Sequence, residues 1–255
     1  MGEGRTLLRE GRMSFRREHK LKIEAIRRRL VQEYCPAEII LFGSQARGEA
    51  DEFSDVDLLV ILGGAVDEGR AGRDMEQALS PVRIEKHIFV KTAEHFAQER
   101  DLPGTLSFSA FKEGRVLYRN QDPVRSVGPL APYETRKAEF LDREYGQRAE
   151  EYLERAKTSL ESGHLFRCRD YMKFGALRAL KGIFVKHGLH PPLEQDLCLL
   201  LEKACELEPD LTAWIRPVGL LNQYVPVPGE PSSQQAASEI LSRMEHFVAV
   251  LKGRF

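Results

Sequence analysis

The stretch Glu38-Ile39-Ile40-Leu41-Phe42-Gly43-Ser44-Gln45-Ala46-Arg47-Gly48, followed after a short acidic loop by Ser54-Asp55-Val56-Asp57-Leu58-Leu59-Val60-Ile61-Leu62, decides how the first half of this chain folds. Residues 38–43 and 55–62 are short, nearly continuous apolar runs bounded by turn formers, the pattern of strands buried on both faces. The segment between them is turn-rich, and Gly63-Gly64 stops the second run. Asp55 and Asp57 stand two apart at the start of a strand. Alternation therefore points both carboxylates to one side of the sheet, at its edge. Two carboxylates converging on one spot repel unless a cation lies between them. Mg²⁺ is the natural occupant, because it takes a few carboxylates and completes its shell with water and phosphate oxygens. Gly43-Ser44 ends the preceding strand. Glycine lets the backbone approach a phosphate closely, and a serine hydroxyl with free N–H groups can bind its oxygens.

Outward from this stretch, Ile23, Ile26, Leu30 and Tyr34 recur at helical spacing, predicting an amphipathic helix from Phe15 to Tyr34 with Pro36 just beyond. Residues 67–79 are a helix candidate, Val82 to Val90 reads as a third strand, and Pro103 to Tyr118 reads as a helix leading to a loop. The order helix, strand, strand, helix, strand predicts an α+β domain, a small mixed sheet with flanking helices. Residues 119–133, with Pro123, Gly128, Pro129 and Pro132, read as a linker. Beyond them the strand signal vanishes. Leu141, Tyr145, Ala149, Leu153, Ala156 and Leu160 form one long helical stripe closed by Gly163, and a second helix runs from about Leu165 to His187. Further helices fit 196–207, 209–223 and 234–252, so the second half is expected to be an all-α bundle of four or five helices.

Composition sets the outer bounds. With 255 residues, 42% hydrophobic and 30% charged, the chain suits one large or two small globular domains. A net charge of -1 excludes a polycation built for nucleic acid, although residues 1–30 hold an excess of Lys and Arg that is densest at Arg27-Arg28-Arg29. That patch reads as the solvated face of the first helix. Cys35, Cys168, Cys198 and Cys205 show no paired zinc spacing and read as buried thiols of a reduced, cytoplasmic protein. No apolar run has the length of a membrane span, and the N-terminus lacks a signal-peptide core.

A DxD or a Gly-Ser turn alone is common. Their combination is not: strand, GS-x-x-RG, short loop, SDxDL, strand. It resembles the nucleotidyltransferase superfamily related to DNA polymerase beta, in its minimal (MNT) branch, and matches at Gly43, Ser44, Arg47, Gly48, Ser54, Asp55, Asp57 and Leu58. The resemblance implies a nucleotidyltransferase domain over residues 14–120, with Mg²⁺ on Asp55 and Asp57. A third carboxylate is expected on a later strand. Glu85 is the candidate, as metal ligand or as the base for an attacking hydroxyl, although many relatives carry Asp there. The expected catalytic and metal-binding set is thus Asp55, Asp57 and Glu85, and the nucleotide-binding set Gly43, Ser44, Arg47 and Ser54. Arg47 either steadies phosphates or pairs with Glu49 or Asp51. His87 falls on the same strand face as Glu85 and can line the site, its plainer reading being a structural histidine.

Residues 134–255 resemble the HEPN helical domain, through segments such as Ala176-Leu177-Arg178-Ala179-Leu180-Lys181-Gly182 and Gly188-Leu189-His190-Pro191-Pro192. The resemblance implies a homodimer. Nuclease members use an Arg and a His four to six residues apart. Here Arg155 and His164 are too far apart, Arg243 and His246 too close, and Arg12 and His19 lie outside the domain, so RNA cleavage is not expected. The architecture is also similar to aminoglycoside nucleotidyltransferases of the kanamycin type. For such an acceptor Glu139, Asp142, Glu144, Glu150 and Glu151 offer acidic groups.

The function these resemblances imply is Mg²⁺-dependent transfer of a nucleoside monophosphate, AMP from ATP, to a hydroxyl of a small molecule or a protein, with release of pyrophosphate. The competing readings are a non-catalytic nucleotide-binding regulator, or a toxin–antitoxin-type protein acting through its helical domain on a macromolecular partner. A membrane is not expected as a partner, nor is nucleic acid, although the basic first helix keeps RNA binding as a third reading.

Overall fold

The computed structural model describes the backbone of residues 3–51, 54–120 and 129–255, with side chains from residue 18 onward in those spans. The basic side chains before residue 18 and most of the expected linker (121–128) lie outside the described residues. The chain divides into two compact units, Met1–Leu130 and Ala131–Phe255.

The first unit opens with α1 (Glu3–Tyr34), whose Ile23, Ile26 and Leu30 are buried as their spacing requires. Then come β1 (Glu38–Phe42), α2 (Gly43–Arg47), β2 (Val56–Leu62), α3 (Glu68–Ala78), β3 (Lys86–Thr92), α4 (Ala93–Glu99), α5 (Leu106–Glu113) and β4 (Arg115–Arg119). The four strands form one mixed sheet in the order β3-β2-β1-β4. β1 is antiparallel to both β2 and β4, whereas β2 and β3 run parallel.

Strand alternation gives the sheet two buried faces. One packs Ile39, Leu41, Val56, Leu58, Val60, Ile88 and Val90 with Ile26 and Leu30 of α1 and Met75 and Leu79 of α3 and its C-terminal end. The other holds Ile40, Leu59 and Ile61 with Phe96 of α4 and Ala110 of α5. Each fully buried aliphatic side chain here contributes about 1.5–3 kcal/mol. Side-chain caps fix the helix starts on both faces: Asp67 accepts from the Arg70 N–H, Thr92 from His95 and Thr105 from Phe108.

Several features differ from the sequence-based expectation. Residues 43–47, expected as a turn, make one short helix. The third strand starts at Lys86 rather than Val82, because Lys86 Nζ donates to the carbonyls of Val82 and Ile84 and holds that segment in a bend. The helix expected from Pro103 to Tyr118 ends at Glu113, and Arg115–Arg119 forms a fourth strand on the outer edge of β1. Cys35 is exposed, not buried, at the turn after α1.

The second unit is all-helical: α6 (Tyr133–Leu141), a π-helical turn (Asp142–Gln147), α7 (Arg148–Glu161), α8 (Leu165–Lys186), α9 (Leu197–Leu207), a 3₁₀ segment (Pro209–Trp214), α10 (Ile215–Gln223) and α11 (Pro231–Lys252). Gly163 takes the left-handed conformation expected after α7. The stripe expected from Leu141 stays buried through the π turn, where Arg178 Nε donates to the Glu144 carbonyl at 2.6 Å. A side chain drawing a carbonyl out of the helical ladder is a recognised cause of such irregularity. One continuous core of Leu153, Met172, Leu180, Leu200, Met244, Phe247 and their neighbours fills the unit. Among the described residues no helix is long and apolar enough to cross a membrane.

Candidate active site

β1 ends at Phe42, in register with Asp57 of β2. The chain then turns at Gly43 with φ +70°, and a Cβ built there would lie 2.4 Å from Asp57 Oδ2. Only a residue without a side chain lets the backbone come this close to that carboxylate. Asp55 sits just before β2, and its side chain stays 41% exposed while that of Asp57 is 26% exposed. β3 lies parallel to β2 with His87 opposite Asp57, so both side chains rise on the same face. His87 Nδ1 stands 3.3 Å from Asp57 Oδ1 and 3.8 Å from Asp55 Oδ2. The two carboxylates thus converge, on a histidine.

The other expected residues are distributed around this pair. Ser44 is half-buried in α2, which begins without a side-chain cap. Ser54 Oγ donates to Asp51 Oδ1 at 2.7 Å and accepts from the Asp51 N–H, immediately ahead of Asp55. Arg47 pairs with Glu49 at 2.8 Å and with Glu113 of α5 at 3.1 Å, and these hydrogen bonds push its guanidinium pKa further up. It pairs with Glu49, one of the two partners the sequence offered, and with an acid on α5 instead of Asp51. Glu85 lies exposed just before β3, and its backbone carbonyl accepts from the Val56 N–H at 2.9 Å.

One residue escapes a motif-based reading. Gln45 occupies a silent position of the GS-x-x-RG pattern, yet its Nε2 lies 3.0 Å from His19 Nδ1 and donates to the Ser54 carbonyl at 3.4 Å. Burial, with the Lys22 charge, holds the His19 imidazole below its usual pKa. The neutral ring so favoured can accept the Gln45 N–H, which ties α1 to α2 and to the DxD loop. His87, expected on the strand face of Glu85 as a residue that can line the site, is set beside Asp57 by the parallel register of the second and third strands.

Among the described residues no group of three or more His, Cys, Asp or Glu side chains is arranged to hold a metal ion, so Glu85 is not gathered with Asp55 and Asp57 into a preformed three-ligand cage. The chemistry of the pair still suits a hard divalent cation. Both donors are carboxylates, both are partly open to water, and Mg²⁺ usually binds through one or two carboxylates plus substrate phosphates and water.

Residues 22–116, which span α1 to β4, match the nucleotidyltransferase domain family. The first unit carries a nucleotidyltransferase domain. Gly43, Asp55 and Asp57 lie inside the matched region of that domain, as do Ser44, Arg47, Ser54 and Glu85. No curated protein sequence matches the chain significantly. Among solved structures the chain is similar to a nucleotidyltransferase-like protein from Exiguobacterium sibiricum, with 15% identity and a TM-score of 0.47, over 91% of this chain and 77% of that one. It is also similar to a spectinomycin adenyltransferase from Enterococcus faecialis, solved with ATP and spectinomycin, with 12% identity and a TM-score of 0.39, over 89% of this chain and 99% of that one. Both likenesses are distant.

In the helical unit, three of the acidic residues considered for an acceptor are engaged in ion pairs. Glu144 meets Arg143, Arg148 and Arg178, and Asp142 and Glu150 both meet Lys252.

Proposed function

We propose that this nucleotidyltransferase moves a nucleoside monophosphate from an NTP, with ATP as donor, to an acceptor hydroxyl and releases pyrophosphate. The observation that carries the reading is the close approach of Gly43 to Asp57 within the matched domain: the turn suited to phosphate and the carboxylate suited to its metal are held side by side. Gly43 and Ser44 hold the triphosphate through backbone N–H groups and the serine hydroxyl. Ser54 directly precedes Asp55, and Arg47, on the short helix that begins at Gly43, turns to the phosphates when they replace Glu49 or Glu113 as its partner. Asp55 and Asp57 would hold Mg²⁺, with Glu85 as a third ligand or as the base for the attacking hydroxyl. When bound, the ion neutralises charge on the phosphate oxygens.

The acceptor oxygen forms a bond to the α-phosphorus as the bond from that phosphorus to the bridging oxygen of the β-phosphate breaks. Pyrophosphate leaves with the electron pair, and the hydroxyl proton passes to the exposed carboxylate of Glu85. Little covalent work falls to the protein, because alignment and fixed charge supply the rate. The domain bounds proposed are 14–120 for catalysis and 134–255 for a HEPN-like bundle. The acceptor class is a small molecule or a protein side chain, and the protein acts in the cytoplasm, with a homodimer as its proposed assembly.

Calorimetric titration of ATP with Mg²⁺ tests this reading. Wild type is expected to bind, and the Asp55→Ala/Asp57→Ala variant to lose the magnesium-dependent part. Failure of well-folded wild type to bind any NTP removes the assignment.

A further inference from the structure

The sheet face that carries Asp57 also carries aromatic rings beside the carboxylates. Phe42 ends β1 and packs, half-buried, against the core formed by Ile40, Leu59 and Phe96. Phe89 lies in β3, in register with Leu59 and two residues beyond His87. Its ring centroid is 5.7 Å from that of Phe42, tilted by 54°, and 6.3 Å from that of His87. Phe89 is 37% exposed, whereas Ile88 and Val90, its apolar neighbours in the same strand, are each 6% exposed. The core therefore absorbs one face of β3 and one of these two phenylalanines. It leaves the other ring open, on an edge strand, next to the carboxylate pair.

We propose that Phe89, backed by Phe42, is the platform on which the base of the donor nucleotide stacks. The inference rests on the reading of Gly43, Ser44, Asp55 and Asp57 as the triphosphate and metal site. Phe42 immediately precedes Gly43, so the backing ring adjoins the turn assigned to the phosphates. Phe89 extends that surface by one strand repeat from His87, about 6.6 Å. A flat heteroaromatic ring finds on these two phenylalanines the offset or tilted contact that aromatic groups favour. Stacking of this kind tolerates any base, because every base has a π-face. The donor site is therefore expected to separate ATP from GTP by no more than about threefold, since stacking carries no hydrogen-bond readout.

The test compares ATP with inorganic tripolyphosphate, which has the charge but no base. Both are titrated with Mg²⁺ into the full-length protein as wild type, Phe89→Ala and Phe89→Trp. Phe89→Ala is expected to weaken ATP about tenfold and to leave tripolyphosphate unchanged, and Phe89→Trp is expected to restore ATP affinity. Equal ATP affinity in wild type and Phe89→Ala, with tripolyphosphate still bound, overturns the platform and leaves the triphosphate site standing. A parallel loss of both ligands in Phe89→Ala also overturns it, by showing that the ring supports the site rather than the base. Binding of neither ligand to folded wild type overturns the nucleotidyl-transfer reading itself, and the platform with it.

Discussion

At the scale of single residues, Gly43 is the most constrained position near the carboxylates. A methyl group there meets two obstacles, a left-handed backbone and Asp57 Oδ2 at 2.4 Å. The first costs about 1–2 kcal/mol. The second is relieved only if the carboxylate moves, and a displacement of about 1 Å in a positioned group can cost about 100-fold in rate. Gly43→Ala is therefore expected to lower unfolding free energy by about 2 kcal/mol while the rate of nucleotidyl transfer from ATP falls about 100-fold, read by denaturant unfolding beside a pyrophosphate-release assay. Much of this was legible in the sequence. A glycine after an apolar run and two aspartates at the head of the next identify themselves by type and spacing. Gln45 does not, because its contact with His19 is made across a chain separation that no local pattern records, and for His87 the strand face was readable but the contact with Asp57 was not.

At the scale of elements, β1 and β2 were readable because burial on both faces makes them continuous apolar runs. β4 was not. Arg115, Val116, Leu117, Tyr118 and Arg119 pair on one edge only and stay largely half-buried or exposed, so the run has neither strand length nor a full apolar signature. Its start depends on Gly114, where an added Cβ would fall within 2.1 Å of the Ala110 carbonyl oxygen and 2.4 Å of Ile40 Cγ2. The close approach lets the chain leave α5 and enter the sheet at once. Gly114→Ala is expected to destabilise the protein by about 2 kcal/mol, as overpacking does, and thermal unfolding with circular dichroism measures it. The short helix α2 was hidden for a different reason: glycine and serine at its head read as a turn, and one turn of helix buries too little to leave a periodicity.

At the scale of the whole molecule, the two units depend on different kinds of contact. The helical unit is closed at its C-terminal end by Glu208, which lies almost buried between Lys186, His187 and Arg254. Burial alone would raise its pKa, but the hydrogen bonds from Lys186, His187 and Arg254 outweigh that and hold the carboxyl below its usual range. A depressed carboxylate contributes stability that is complete above the unfolded pKa, about 4.3, and is lost as pH falls through the folded value. Glu208→Gln is thus expected to cost about 2 kcal/mol at neutral pH, with wild type and variant converging in acid, as denaturant midpoints measured across pH will report. The sheet unit is held instead by pairings between distant segments, and the order β3-β2-β1-β4 makes β1 interior although it is the first strand synthesised. As the chain leaves the ribosome, β1 acquires β2 early, but its other edge stays open until residue 119 has emerged. A nascent chain arrested before that point displays an unpaired apolar edge, the kind of surface chaperones exist to cover. The turn at Gly43 hangs from the end of that same strand, so the strand that completes the sheet also steadies the element that carries the turn.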